Sequence, residues 1–224
     1  MNNCFLERKR KYTLDQNYFE KINDQEKAYF LGFMYADGNV HSKKNICSIK
    51  LQKEDKKILE KFKQLLKMNK SLQIITKFFP CSSLYKLSFS SKKIKQDLIK
   101  AGCIPNKTFK LKFPSWLDEN LKRHFIRGFF DGDGCTEVRV IAGKNYPRVR
   151  IAGKENFLKK ILNFCEIKGH LYPHHKIYYL RFNCIFAEKF LNWLYKDATI
   201  YLERKYRKYI NFINSKQILN FNYK

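Results

Sequence analysis

The stretches FLGFMYADG, at Phe30–Gly38, and IRGFFDGDG, at Ile126–Gly134, decide the fold of this 224-residue chain. Each is an apolar, helical stretch with a glycine, a small residue one helical turn later, and Asp-Gly at its end. Small residues one turn apart let a second backbone approach closely, and the helix best suited to that groove is the other copy. The repeat therefore predicts two helices that pack against each other through Gly32 and Gly128.

Each motif ends in an acidic residue that a glycine follows. We expect Gly38 and Gly134 to end the two helices in the left-handed conformation that glycine accepts. A carboxylate in the last turn of a helix costs about 0.3–1 kcal/mol, and two of them also repel each other. A divalent cation removes this conflict, because carboxylates and backbone carbonyls are ligands that hard ions prefer. The predicted metal ligands are Asp37, Asp133 and the residues before them, Ala36 and Gly132.

Both motifs resemble those of the LAGLIDADG homing endonucleases, in the form that carries two motifs in one chain. The segments IPNKTFKLKFP, at Ile104–Pro114, and YLERKY, at Tyr201–Tyr206, resemble the segments that close each half in that family. The first motif departs from the family name at Leu31 and other positions, but both terminal acids are present. The resemblance implies a metal-dependent enzyme that cuts both strands of a long, specific DNA site. Mg2+ is the expected ion, and Mn2+ or Ca2+ are further ions that such a site accepts.

The pattern after each motif follows one order. In the first half, short strands after Gly38, one of them at 47–52, precede a helix over Glu54–Met68, two strands in LQIITKF and LYKLSFS, and a helix over Lys92–Ala101. The second half repeats this order, with strands around Thr136–Ile141 and Arg148–Ile151, a helix over Asn156–Ile167, strands near Leu171 and at Lys176–Phe182, and a helix over Ile185–Tyr195. We expect an α+β fold of two pseudo-symmetric αββαββα halves, packed through the motif helices, whose antiparallel sheets form a DNA-binding saddle.

A proline separates the two halves. Pro114 lies in LKFPSWLDE, where it interrupts regular structure. We therefore expect an N-terminal repeat over residues 1–114 and a C-terminal repeat over residues 115–224 in one monomer.

The charge of the chain predicts its partner. The 46 Lys and Arg against 20 Asp and Glu give a net charge of +26, which nucleic acid would neutralise. Double-stranded DNA is the expected partner, and intron RNA is a second candidate. The seven cysteines include no CxxC pair, which indicates reduced thiols in a reducing compartment. No segment approaches the roughly 20 apolar residues of a membrane span. We expect a soluble, intracellular protein of the cytoplasm or an organelle matrix, without a membrane partner.

The strands predict the DNA contacts. When helices cover one face of an antiparallel sheet, the other face is free, and a two-stranded ribbon fits the major groove. In the first half, the residues expected on this face are His41, Lys43, Ser48, Lys50, Lys77, Lys86 and Ser88. In the second half, they are Glu137, Arg139, Arg148, Arg150, Tyr179 and Arg181.

Two lysines and a glutamine complete the predicted catalytic set. Lys107 in PNKTF and Lys205 in ERKYR stand near the end of each half, and the resemblance implies that both reach back to the active centre. A lysine there can polarise the network of the attacking water or stabilise the charge that develops on phosphate. The resemblance also assigns Gln52 to the positioning of water. Its counterpart falls among residues 151–153, none of which has a side chain for that role, so the halves are expected to differ in catalysis.

Other patterns predict less. DGDG at 131–134 does not continue as a calcium-binding loop, because Cys135 and Thr136 occupy the next positions. Asp131 is expected to have a supporting role. The histidines at 170, 174 and 175 lack further ligands nearby and are expected in a sheet or loop. Two alternatives to the endonuclease stay open, an intron RNA maturase and a DNA-binding protein that no longer cleaves. The two retained acids argue against the second.

Overall fold

The computed structural model describes residues 11–76, 83–107, 110–141 and 144–221, with side chains up to residue 214 and apart from those of residues 141 and 144. The first half contains α1 (Gln25–Ala36), β1 (Gly38–Val40), β2 (Ile46–Gln52), a 3-10 turn (Lys53–Asp55), α2 (Lys56–Leu65), β3 (Gln73–Ile75), β4 (Leu84–Ser90) and α3 (Lys92–Lys100). The second half contains α4 (Glu119–Asp133), β5 (Gly134–Ile141), β6 (Lys144–Gly153), α5 (Glu155–Cys165), β7 (His170–His174), β8 (Ile177–Asn183) and α6 (Cys184–Tyr195), and α7 (Glu203–Phe221) follows.

The two sheets have the same topology. Their strand orders are β1-β2-β4-β3 and β5-β6-β8-β7, and the pairs are antiparallel. The register matches as well, since Gly38 pairs with Ile49 as Gly134 pairs with Ile151. The predicted α+β fold of two αββαββα halves is therefore confirmed. The boundary at residue 114 stays a prediction.

The motif helices α1 and α4 pack through the two predicted glycines. A Cβ on Gly32 would lie 2.0 Å from the carbonyl oxygen of Phe125, and a Cβ on Gly128 would lie 1.8 Å from that of Tyr29. Each glycine therefore contacts the backbone of the residue three positions before the other glycine. This reciprocal contact gives the two halves their pseudo-two-fold relation.

The glycines after the motif acids do not adopt the left-handed conformation that we expected. Gly134 has φ −86° and ψ 162°, which is extended backbone. Only Gly102 among the described glycines has positive φ. Gly38 and Gly134 are instead required by space, because an added Cβ would lie 2.4 Å from the Met34 carbonyl oxygen and 2.1 Å from the Phe130 ring. The chain passes directly from helix to strand at both positions.

A buried polar network joins the motif helices to the end of the second half. Asp131 is fully buried and accepts hydrogen bonds from the hydroxyls of Tyr29 and Tyr195, both at 2.8 Å, and from the backbone N–H of Leu202 at 2.7 Å. The guanidinium of Arg127 is also buried, and it donates to the backbone carbonyls of Ile200 and Leu194. Asp131 thus fixes the segment after α6 against both motif helices, in agreement with a supporting role.

That segment also contacts the first half. Arg204, at the start of α7, donates through Nε to both carboxylate oxygens of the buried Asp55, at 3.0 Å each. The sequence pattern predicted a closing segment here but not the 19-residue helix α7 that follows it.

None of the helices in the described ranges is long and apolar enough to cross a membrane.

Candidate active site and nucleic-acid interface

The two motif acids lie together at the ends of α1 and α4. Asp37 is the residue after the last turn of α1, and its N–H donates to the carbonyl of Phe33 at 3.0 Å. Asp133 is the last residue of α4. The Asp37 carboxylate reaches across the helix pair, since a Cβ on Gly132 would lie 3.2 Å from its Oδ2. Both acids are exposed at the surface between the two sheets.

The environment opposes the ionisation of both carboxyl groups. Although both side chains reach solvent, atoms of the two halves surround them, and this desolvation raises the pKa of each. The pKa of Asp133 rises to about 6, through burial first and then through the negative charge of Asp37. Lys205 and Lys107 lower the pKa of both acids, but burial outweighs them. Two carboxylates that repel each other and are partly desolvated favour a bound cation.

The predicted lysines occupy equivalent positions beside the acids. Lys107 donates through Nζ to the carbonyls of Ala36 at 2.9 Å and Gly38 at 2.6 Å. Lys205 donates to the carbonyls of Gly132 at 3.3 Å and Gly134 at 2.6 Å. Each ammonium group therefore bridges the residues on either side of a motif acid.

The two lysines differ in one contact. Lys205 is buried and also donates to the carbonyl of Phe130 at 2.8 Å. In the first half, the equivalent carbonyl belongs to Met34 and accepts instead from the thiol of Cys103 at 3.3 Å. Burial lowers the pKa of Lys205 to about 8.

The donor set fits a hard divalent ion. Among the residues that the structure describes, no side chain forms an ion pair with Asp37 or Asp133, and no group of three His, Cys, Asp or Glu residues can enclose a metal. Two free carboxylates in an open position suit Mg2+, which binds through one or two carboxylates plus water and substrate phosphates. The carbonyls of Ala36 and Gly132 lie beside the acids but already accept hydrogen bonds from lysines.

Gln52 lies at the end of β2, exposed and close to the start of α2. The sheet register corrects the position of its counterpart. Because Ile49 is equivalent to Ile151, Gln52 is equivalent to Lys154 and not to a residue among 151–153. The predicted counterpart was wrong because the sequence alone does not show that β5 and β6 are longer than β1 and β2. The halves still differ, because a lysine stands where the first half has glutamine.

The second sheet places its predicted residues on one face. Residues that alternate along each strand and pair across the strands share this face, and the helices cover the other one. The members named from the sequence are Glu137, Arg139, Arg148, Arg150, Tyr179 and Arg181. Tyr172 also lies there, stacked under Arg181 with its ring centre 4.4 Å from the guanidinium carbon, and was not predicted.

The first sheet places only some of its predicted residues on the free face. Lys50, Lys86 and Ser88 lie there, and Lys50 is exposed. Ser48 lies on the same face but is buried, because its short side chain does not extend beyond its cross-strand neighbours Asn39 and Ser88. The prediction of an accessible Ser48 is therefore wrong.

Two further residues of the first half lie off the strands. His41 and Lys43 are in the turn between β1 and β2, where Nδ1 of His41 accepts the backbone N–H groups of Lys43 and Lys44, at 3.1 Å each. Assigning them to a strand face was wrong, because β1 ends at Val40. Lys77 lies outside the described residues.

Among the described residues, each free face carries one pair of like charges directly opposite each other. Lys50 faces Lys86 in the first sheet, and Arg150 faces Arg181 in the second. Such pairs destabilise a sheet in isolation. By register they are not equivalent, because Lys50 follows Ile49 whereas Arg150 precedes Ile151. The arginine pair therefore lies two residues farther from the motif acids, towards the β5–β6 turn.

The histidines lie at the outer end of the second sheet. His170 and His174 are in β7 and His175 follows it, and all three are exposed. His174 packs on Tyr179 with ring centres 4.8 Å apart. Their positions in a strand and turn agree with the sequence-based expectation.

The comparisons agree with this architecture. Residues 24–81 match the model of the family described as LAGLIDADG-like domain. The predicted resemblance to LAGLIDADG homing endonucleases is thus confirmed, by that family model over part of the first repeat and by fold over most of the chain. No protein of curated function matches the chain in sequence.

Three solved structures illustrate the shared fold. The LAGLIDADG meganuclease I-AabMI bound to uncleaved DNA has a TM-score of 0.62 at 14% identity, over 89% of this chain and 92% of that one. The LAGLIDADG homing endonuclease I-GzeII in complex with its DNA target has a TM-score of 0.58 at 17% identity, over 90% and 92%. I-SmaMI bound to uncleaved DNA in the presence of calcium ions has a TM-score of 0.56 at 14% identity, over 89% and 92%.

Proposed function

We propose that this protein is a site-specific DNA endonuclease that hydrolyses phosphodiester bonds on both strands of a long, non-palindromic target, as homing requires. One observation carries the proposal. Asp37 and Asp133 lie side by side, each flanked by a lysine, between two sheets whose free faces are rich in Lys and Arg. A basic saddle with paired carboxylates at its centre suits a polyanion that is cut where it crosses the centre.

The residues of the candidate active site have different proposed roles. Asp37 and Asp133 would hold Mg2+, which supplies an activated water and stabilises the leaving oxygen in an in-line displacement. Lys107 and Lys205 hold the backbone on both sides of each acid and bring positive charge near the phosphate. Gln52, exposed at the end of β2, orients water on one side only, so the two strand cuts proceed at different rates.

The two sheets provide the binding energy. Their Lys and Arg side chains displace counterions from the duplex, and arginine makes bidentate contacts with guanine in the major groove. Because the two faces differ at most equivalent positions, they are expected to recognise different half-sites. The protein acts as a monomer, since one chain already contains both halves of the saddle.

The experiment compares Asp37→Asn and Asp133→Asn with the wild type. Each protein is incubated with Mg2+ and a plasmid library of random inserts, and the ends of linear products are sequenced. We expect the wild type to produce double-strand breaks at one family of sequences and both variants to produce none, with duplex binding retained. Asp118→Asn is the matched control, because Asp118 is exposed before α4 and its side chain caps no N–H group. Wild-type cleavage by either motif variant would refute the proposed site.

The same library distinguishes the two alternatives. A DNA-binding protein without nuclease activity would retain sequences but release no cut ends with any divalent ion. A maturase would bind a folded intron RNA in preference to DNA, which competition between labelled duplex and structured RNA measures directly.

A further inference from the structure

Glu137 is the only carboxylate on the free face of the second sheet, among the residues that the structure describes. It lies in β5 directly opposite Arg148 of β6. Oε2 accepts from Nε of Arg148 at 3.0 Å and also from its Nη2, while Oε1 accepts from Nη2 of Arg150. One acidic side chain therefore fixes two neighbouring guanidinium groups. The thiol of Cys135, at 3.8 Å from Oε1, is the remaining polar contact of this carboxylate.

A carboxylate in this position opposes duplex binding as such. It removes one positive charge from a surface that faces phosphates, and repulsion between Glu137 and the duplex acts in the same direction. The free face of the first sheet has no carboxylate among its described strand residues, and the residue equivalent to Glu137 is His41. Glu137 is therefore not part of a general design for holding DNA.

The contacts of Glu137 restrict where the arginines can go. A free arginine rotates about several bonds and pairs with any phosphate within reach, whereas a fixed guanidinium presents its planar fork in one orientation. Arg150 is held a second time, with its guanidinium carbon 5.6 Å from the ring centre of Tyr179. Glu137 binds Nε and Nη2 of Arg148 and Nη2 of Arg150, so the Nη1 groups are the donors that we expect to face a base edge.

We propose that Glu137 is a positioning residue for sequence discrimination: it holds Arg148 and Arg150 off the phosphates and presents them to neighbouring base pairs of one half-site. The inference rests on the proposed function of the saddle and adds the cause of its selectivity. Binding then loses little ordering entropy at these side chains, because the order exists before DNA arrives. Glu137 therefore lowers the affinity for random sequence and increases the difference in affinity between correct and incorrect sites.

The test uses Glu137→Gln in the full chain, with Glu155→Gln as the matched control. Glu155 also pairs with a basic residue, Lys159, but at the start of α5 and off the free face, so its replacement removes the same charge elsewhere. Each protein selects bound duplexes from a randomised pool in Ca2+, and its affinity for unselected duplex is measured over a range of salt concentrations. Thermal melting of each variant shows whether the fold persists.

We expect Glu137→Gln to bind unselected duplex several-fold more tightly, with a log–log salt slope steeper by about 1–2, since each freed arginine can neutralise one phosphate. Base preference should weaken at two neighbouring positions, up to about two base pairs apart, on one side of the site. Glu155→Gln should change neither the preference nor its side. Glu137→Asp keeps the charge, but its side chain is too short to reach both arginines, so it should lose part of the base preference. This variant replaces Glu137→Gln in the test if Glu137→Gln has a much lower melting temperature than wild type.

The same substitution in a variant without the two arginines shows how Glu137 acts. When Arg148 and Arg150 are both replaced by Ala, Glu137→Gln should cause no further loss of base preference. A loss that persists there would mean that Glu137 contacts a base itself and would overturn the proposal. An unchanged preference in Glu137→Gln, with a wild type that does select a site, would also overturn it. If the wild type selects no sequence at all, the proposed function fails instead.

Discussion

Ala36 and Gly132 face each other across the motif helices so closely that a Cβ on Gly132 would lie 2.2 Å from the Cβ of Ala36. The space between the helices therefore holds one methyl group at this point and not two. We expect Gly132→Ala to lower the free energy of unfolding by about 1–3 kcal/mol, the usual cost of overpacking. Urea denaturation measures the change.

An exchange of the two residues supplies the control. Ala36→Gly combined with Gly132→Ala keeps a single methyl group and should regain most of the stability that Gly132→Ala loses. Ala36→Gly alone should cost about 0.5–1 kcal/mol, the helix penalty of glycine. If the double variant is no more stable than Gly132→Ala, the methyl groups do not compete for this space.

The raised pKa of Asp133 predicts a dependence of stability on pH without metal. Its pKa rises from 3.8 to about 6, so the folded state favours the protonated acid. The resulting stabilisation is complete below about pH 4 and is lost as the pH rises through about 6. With a chelator present, the melting temperature of Asp133→Asn should therefore rise relative to that of wild type as the pH increases from 4 to 7. Addition of Mg2+ at pH 7 should cancel this relative gain. Asp118→Asn, which removes an exposed carboxylate at the other end of α4, is the control, and a pH-independent difference between Asp133→Asn and wild type would refute the prediction.

Lys107 and Lys205, the two lysines beside the motif acids, should differ in how much they stabilise the fold. Lys205 is buried on three carbonyls, whereas Lys107 is partly buried on two. Because an unpaired buried acceptor costs about 1–3 kcal/mol, Lys205→Met should lower the free energy of unfolding more than Lys107→Met does. Chemical denaturation compares them, with Lys208→Met as an exposed control in the same helix. Equal losses would show that the extra contact with Phe130 contributes nothing.

The like-charge pairs predict an off-centre footprint. Arg150–Arg181 lies two residues farther from the motif acids than Lys50–Lys86, which is about 7 Å along a strand or about two base pairs of duplex. Arg150→Ala should relax base preference about two base pairs farther from the cut than Lys50→Ala does, on the opposite side, and more strongly. Profiling both variants on single-base changes of a selected site measures this. Effects at equal distances would contradict it.

Much of the fold follows from the repeat itself. Gly32 and Gly128 predict the helix contact because only a missing Cβ permits that approach, and the alternation of Cys47, Ile49 and Leu51 predicts the buried face of β2. The positions of the motif acids follow from the same helices. Lys107 and Lys205, which the family resemblance singled out, both reach the backbone beside those acids. Their catalytic roles stay predictions.

Other features depend on contacts that a sequence does not show. Strand alternation places Ser48 on the free face but does not reveal that its neighbours cover it. The equivalence of Gln52 and Lys154 appears only in the cross-strand register. The sequence does contain an indication that Arg127 is buried, because a charged residue within an apolar helix often has buried polar partners. The double contact of Glu137 has no such indication in the sequence, because its two partners are 11 and 13 residues away.

The segment before α7 has a consequence for synthesis on the ribosome. Leu202 binds Asp131, Arg204 binds Asp55, and Lys205 binds the carbonyls beside Asp133, across separations of 71 to 149 residues. Chains fold as they emerge, from the N-terminal end. Most of the saddle can therefore form on a nascent chain that still lacks Lys205 and the partner of Asp55. A truncated product that stops before residue 200 would keep both motif acids but would lack the contacts that Leu202, Arg204 and Lys205 make with the two halves.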